Sequence, residues 1–175
     1  MKTTSSSLSA VQPLNSVTFG QTRLRIEDIA AIARHGVSVR MTDNVDFWRR
    51  IDAGVAFLDQ LLDEDGVIYG VTTGYGDSVT VRVPLHQVYE LPVHLTRFHG
   101  CGLGQEFSVQ QGRAILATRL CSLSQGYSGV SRDLLARLVD FLNHDVTPCI
   151  PQEGSVGASG DLTPLSYVAG AMIGE

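Results

Sequence analysis

Apolar and polar residues alternate through SVTFGQTRLRI, residues 16–26, around Gly20-Gln21, and this period of two predicts a short hairpin. The pattern then changes to a helical one. IEDIAAIARHG places acids early, Arg34 late and Gly36 as a stop, which predicts a short helix. In NVDFWRRIDAGVAFLDQLLDEDG, apolar positions recur every three or four residues at Val45, Trp48, Ile51, Val55, Leu58 and Leu62. That spacing predicts an amphipathic helix, capped by Asn44 and ended by Asp65-Gly66.

VIYGV leads into a polar, glycine-rich loop, TTGYGDS. Pro84 opens the next predicted helix, which runs through Leu85, Val88, Leu91 and Leu95 with a kink at Pro92. HGCGLG breaks the pattern. Ser108 with Gln111 fits a capping box for a helix carrying Ile115, Leu116, Leu120 and Leu123. Ser131 caps another in SRDLLARLVDFLNHD. VTPCIPQEGSVGASGD reads as a loop, and Thr163-Pro164 as N-cap and first residue of a final helix. The chain is therefore expected to be mainly α-helical with a few short strands near its N-terminus. The last helix ends in mid-pattern, as expected of a fragment or of a chain that another chain covers.

Composition narrows the class. The 175 residues, 43% apolar and 18% charged, suit one globular domain with a sizeable core. A net charge of −5 argues against a nucleic-acid or anionic-membrane partner, which would call for a basic face. Cys101, Cys121 and Cys149 are odd in number and lack a CxxC spacing, which points to reduced thiols in a cytoplasmic protein. Residues 1–16 read as a flexible tail with no apolar stretch of a secretory signal. No apolar run approaches a membrane span.

GSVGASGDLTPLS, Gly154–Ser166, has three glycines, three serines and an alanine in thirteen positions. Taken alone, Ala158-Ser159-Gly160 reads as a loop with glycine where φ is positive. The same residue types also allow backbone chemistry. In a tight bend the Gly160 nitrogen can attack the Ala158 carbonyl carbon, and loss of water leaves an imidazolone. Dehydration of Ser159 then creates an exocyclic methylidene. Gly160 has no Cβ to obstruct the approach and Ala158 is small. The bend resists peptide planarity, so surrounding structure must hold it.

The unbroken run GSVGASGDLTPLSYVAG resembles the signature of the aromatic amino acid ammonia-lyases and related aminomutases. IYGVTTGYGDS (Ile68–Ser78) is similar to the family's tyrosine loop, and HLTRFHGCGLG (His94–Gly104) to its substrate-selectivity segment. RAILATRLCSLSQGYSGV (Arg113–Val130) is similar to the helix and turn that follow. The resemblance covers most of residues 17–175, as the N-terminal portion of a longer helical fold of the ammonia-lyase/fumarase type. It implies that Ala158-Ser159-Gly160 becomes 4-methylideneimidazol-5-one (MIO), a prosthetic group made from the chain itself with no external cofactor. It also implies that Tyr69 is the base for the substrate β-proton, that Phe98 and His99 contact the substrate ring, and that the remaining C-terminal part and a homotetramer complete the site.

On this resemblance the reaction is elimination of ammonia from an aromatic L-amino acid, leaving a trans-unsaturated acid. An aminomutase, which returns the amine to the β-carbon, fits the same motifs, and so does a fragment inactive without the rest of the chain. Phe98-His99 matches none of the family's usual pairs, while Val71-Thr72-Thr73 favours a phenyl-type substrate, tyrosine before histidine or phenylalanine. Residues 72–80 are expected to form a lid, with Tyr75 as a packing residue. Asp161 is expected to cap or pin backbone. A phosphate cradle at Gly100–Gly104 lacks the GK[ST] that would support it. A metal site from His86, His94 and His99 lacks ligand spacing, with seven and four residues intervening.

Overall fold

The computed structural model describes residues 16–64, 66–155 and 162–175. Of the expected tail, all but Ser16 lies outside these residues. Ser16 opens β1 (Ser16–Phe19), which pairs in parallel with β2 (Ser38–Met41), Val17 opposite Val39 and Phe19 opposite Met41. The expected hairpin at Gly20-Gln21 is therefore corrected. The chain leaves β1, crosses through α1 (Ile26–His35) and returns in the same direction, as a parallel pair requires.

The helical predictions hold where their caps are local. Asn44 Oδ1 accepts from the amides of Asp46 and Phe47 at 2.8 and 3.2 Å and starts α2 (Val45–Asp63). Its buried side chains are Phe47 and Ile51; Trp48, Val55, Leu58 and Leu62 of the expected apolar face are half-buried, while Val45, at the first position, is exposed. The Trp48 indole N–H donates to Thr42 O at 2.8 Å. The helix expected from Pro84 is two: α3 (Leu85–Val88) and α4 (Leu91–His99). Pro92 lies in the first turn of α4, where a missing N–H costs no helical bond, so it marks a start rather than a kink.

The capping box at Ser108 and Gln111 is present, with the Gln111 side chain accepting from the Ser108 amide at 2.9 Å, and it opens α5 (Val109–Leu123). Ser131 caps α6 (Arg132–Asn143). Two short strands in segments expected to be loops, β3 (Leu103–Glu106) and β4 (Pro151–Glu153), pair antiparallel. The last helix, α7 (Leu162–Ile173), already includes Thr163, so Thr163 lies within its first turn rather than before it.

α5 is the central rod, packed against α1 and α6. Leu116 and Leu120 from α5, Leu135, Leu138 and Leu142 from α6, Phe19, Ile32, Ile51 and Ile150 form the fully buried centre. Arg113 enters this core with all three guanidinium nitrogens hydrogen-bonded. Its guanidinium donates to Ile32 O at 3.1 and 3.2 Å, to Leu142 O at 2.9 Å and to Asp145 Oδ1 at 2.6 Å. Asn143 pairs with both the amide and the carbonyl of Val39 at 2.8 Å, fixing the end of α6 to the β1–β2 ribbon. Among the described residues no helix is long and apolar enough to cross a membrane.

Candidate active site

Between α2 and α3 the chain folds on itself through side-chain-to-backbone bonds. Thr72 Oγ1 accepts from the Ile68 amide at 2.8 Å and donates to Gly66 O at 2.9 Å. Thr73 Oγ1 accepts from the Gly70 amide at 3.1 Å and donates to Gly74 O at 2.9 Å. Both threonines are buried. Backbone bonds from Gly74 to Val81 and from Val83 to Thr72 close the outer side.

Tyr69 stands on this frame, 58% exposed. Its hydroxyl oxygen accepts from the Gly76 amide at 2.9 Å. Tyr75, expected only to pack, does more: its hydroxyl donates to Gly70 O at 2.9 Å, and its ring meets that of Tyr69 edge-on at 5.7 Å. Gly70 has φ +72°, and a Cβ there would stand 2.7 Å from the Tyr75 ring, so glycine is required on both counts. Burial, and secondarily the neighbouring Tyr69, push the Tyr75 phenol above its ordinary value near 10.

The pair expected to touch substrate divides. Phe98, in the last turn of α4, is 75% exposed, whereas His99 is half-buried and lines a cavity of about 390 Å³. The two rings meet edge-on at 5.1 Å. Tyr75, Leu95, Arg119, Leu162 and Leu165 also line this cavity, which is mostly apolar. The tyrosine loop, α4 and the first turn of α7 therefore share one space.

Ala158-Ser159-Gly160 and Asp161 lie outside the described residues, but both flanks of the triplet are described. Antiparallel pairing with β3 carries β4 up to Gly154. A Cβ on Gly154 would lie 2.5 Å from Thr163 Cγ2 and 3.3 Å from Gly102 Cα. The strand entering the triplet and the helix leaving it are thus in direct contact. Thr163 is buried, and Ser166 Oγ donates to its carbonyl at 2.6 Å. The Gly102 amide donates to the Tyr167 hydroxyl at 3.0 Å, which ties the segment after His99 to α7. Pinned flanks of this kind fit a group made by bending the backbone between them.

Arg119 was not singled out by the sequence. It is half-buried on α5, and burial lowers its pKa. It lines the His99 cavity and a second cavity of about 550 Å³, bordered by Ser155, Gln152 and Pro164. A basic residue one turn from Leu116 and Leu123 on a helix with a buried leucine face was the signal that could have found it. His86 and His94 do not line the cavity with His99, and no group of three or more metal-ligating side chains occurs among the described residues.

Comparison with known proteins places the chain in a family. Residues 24–175 match the family described as aromatic amino acid lyase. A phenylalanine ammonia-lyase of Nostoc punctiforme is 40% identical over 158 residues, which cover 90% of this chain and 28% of that protein. A histidine ammonia-lyase of Staphylococcus aureus is 40% identical over 152 residues, 87% of this chain and 30% of that protein. The crystal structure of a tyrosine aminomutase from Streptomyces globisporus superposes with a TM-score of 0.83 at 35% identity, covering 91% of this chain and 30% of that one. The chain spans less than a third of the length of these relatives.

Proposed function

The chain belongs to the aromatic amino acid lyase family, and on that premise we propose that it carries the reactive half of an ammonia-lyase site for an aromatic L-amino acid, with tyrosine favoured over histidine and phenylalanine. The observation that supports this reading most is the shared cavity: the tyrosine loop, His99 and the helix that follows Ala158-Ser159-Gly160 all border it.

In this reading Ala158, Ser159 and Gly160 form MIO, held by the Gly154–Thr163 contact on one side and the β3–β4 pair on the other. The group would supply an electrophile for the substrate amine. Tyr69 takes the β-proton. The phenol first loses its O–H proton to solvent, to which Tyr69 is 58% exposed. The phenolate oxygen, still accepting the Gly76 N–H, then takes the β-proton on a free lone pair. His99, at the cavity wall, is a hydrogen-bond partner for a phenol hydroxyl or an imidazole, and the leucines beside it exclude water from the ring. Phe98, turned outward, reaches substrate only from a site completed by other chain segments. The remaining C-terminal part and a homotetramer supply those segments, and the setting is cytoplasmic.

The test is a panel of tyrosine, histidine and phenylalanine offered to the complete protein, following the unsaturated acid by ultraviolet absorbance and ammonia directly. Tyrosine turning over with the highest kcat/KM is expected; turnover of none contradicts the reading. The likeness to a tyrosine aminomutase favours a second reading, a 2,3-aminomutase. Accumulation of β-amino acid in place of ammonia distinguishes it.

A further inference from the structure

Two phenols in the tyrosine loop hold each other's backbone. Tyr69 accepts from the amide of Gly76, the residue after Tyr75, and Tyr75 donates to the carbonyl of Gly70, the residue after Tyr69. Both bonds are 2.9 Å long, and the rings cross at 79°. Gly70 and Gly76, at φ +72° and +55°, turn the chain so that each phenol reaches across. The pair is not equivalent in its surroundings. Tyr75 is half-buried and lines the His99 cavity, whereas Tyr69 is more than half exposed.

An exposed tyrosine with few walls samples several rotamers, and fixing one costs side-chain entropy. Tyr69 is held by the Gly76 amide and by the Tyr75 ring that meets it edge-on. Both depend on where Tyr75 sits. The bond from Tyr75 to Gly70 O also anchors the peptide immediately after Tyr69. We propose that the Tyr75 hydroxyl is a positioning group for Tyr69, holding the phenol oxygen at one place beside the Gly76 amide. The ring alone would serve as packing; the hydroxyl is what closes the reciprocal clasp. This rests on Tyr69 being the base.

The experiment compares wild type, Tyr75→Phe and Tyr69→Phe. Tyr75→Phe keeps the ring and cavity wall and removes only the bond to Gly70. Amide hydrogen exchange at Gly76, resolved by NMR on this chain, is expected to speed up about tenfold in both variants, the loss of one net hydrogen bond. Core amides of α5 and α6 should keep their wild-type rates, which shows that each variant has folded. Unchanged exchange at Gly76 in Tyr75→Phe overturns the clasp. In the complete enzyme, Tyr75→Phe should lower kcat about tenfold with KM changed less than about twofold, because orientation of the base matters in the transition state. An unchanged kcat overturns the positioning role even with the clasp intact. Full activity in Tyr69→Phe would instead defeat the base assignment, and the exchange result would still stand or fall separately.

Discussion

The Gly102 amide donates to the Tyr167 hydroxyl across 3.0 Å, joining the loop that follows Phe98-His99 to the helix that follows Ala158-Ser159-Gly160. This one bond couples the segment expected to read the substrate to the segment expected to react with it. Tyr167→Phe keeps the ring and leaves the Gly102 N–H without its partner. The variant should lose about 1 kcal/mol, seen as a lower urea midpoint with unchanged slope.

Gly154 tests how tightly the triplet's flanks are held. In Gly154→Ala the new methyl would stand 2.5 Å from Thr163 Cγ2, inside van der Waals contact. Overpacking of this kind should cost about 1–3 kcal/mol. Thr163→Ser, which removes Cγ2, should recover most of the loss in the double variant, a coupling that denaturation of all four proteins would measure. Simple additivity would show that the clash is relieved elsewhere.

Arg113 and Asp145 should respond unequally. The Arg113 side chain is 5% exposed and that of Asp145 82% exposed. Asp145→Asn leaves the guanidinium on the carbonyls of Ile32 and Leu142, so it should cost under about 1 kcal/mol. Arg113→Met strands those buried carbonyls and should cost about 3 kcal/mol or more. Equal losses in thermal denaturation would mean that the ion pair, not the carbonyls, carries the contribution.

Arg97 in α4 pairs with Glu175 beyond the end of α7, and its hydrogen bond and charge hold the Glu175 carboxyl below its ordinary value of 4.5. A carboxyl lowered in the folded state stabilises at pH above its unfolded value, and that contribution is lost as pH falls through the lowered folded value. The contact between α4 and α7 should therefore loosen only below about pH 4.5. Hydrogen exchange in α4 should rise in that range, and Glu175→Gln should remove the acid dependence.

Much of the fold was legible because its signals are local. Asn44, Ser108 and Ser131 cap helices through bonds to amides two or three residues away, so the sequence carries both partners within one turn. The β1–β2 pairing was not legible: Gly20-Gln21 has the look of a turn, while the true partner of Phe19 lies beyond α1 at Met41. β3 and β4 were missed for the same reason, since Leu103 finds its partner at Glu153. Pro92 was misread because a proline in the first turn of a helix and one inside a helix leave the same mark in an apolar pattern.

In the site, Tyr69, Phe98 and His99 were picked out by resemblance, but their division of labour was not. Docking of α4 on α7 turns His99 into the cavity and Phe98 away from it. The role of the Tyr75 hydroxyl needed Gly70 to be within reach, a fact of loop geometry rather than of residue type. Arg119 was hidden as one cation on a helix already explained by its leucines.

Whether the backbone of Ala158-Ser159-Gly160 becomes the reagent proposed above is read from the intact mass of the complete folded protein. Ring closure releases one water and loss of the Ser159 hydroxyl a second. The expected mass is lighter than the sequence by both waters, with Ser159→Ala failing to show that double loss. An unmodified mass in the folded wild-type protein would contradict it.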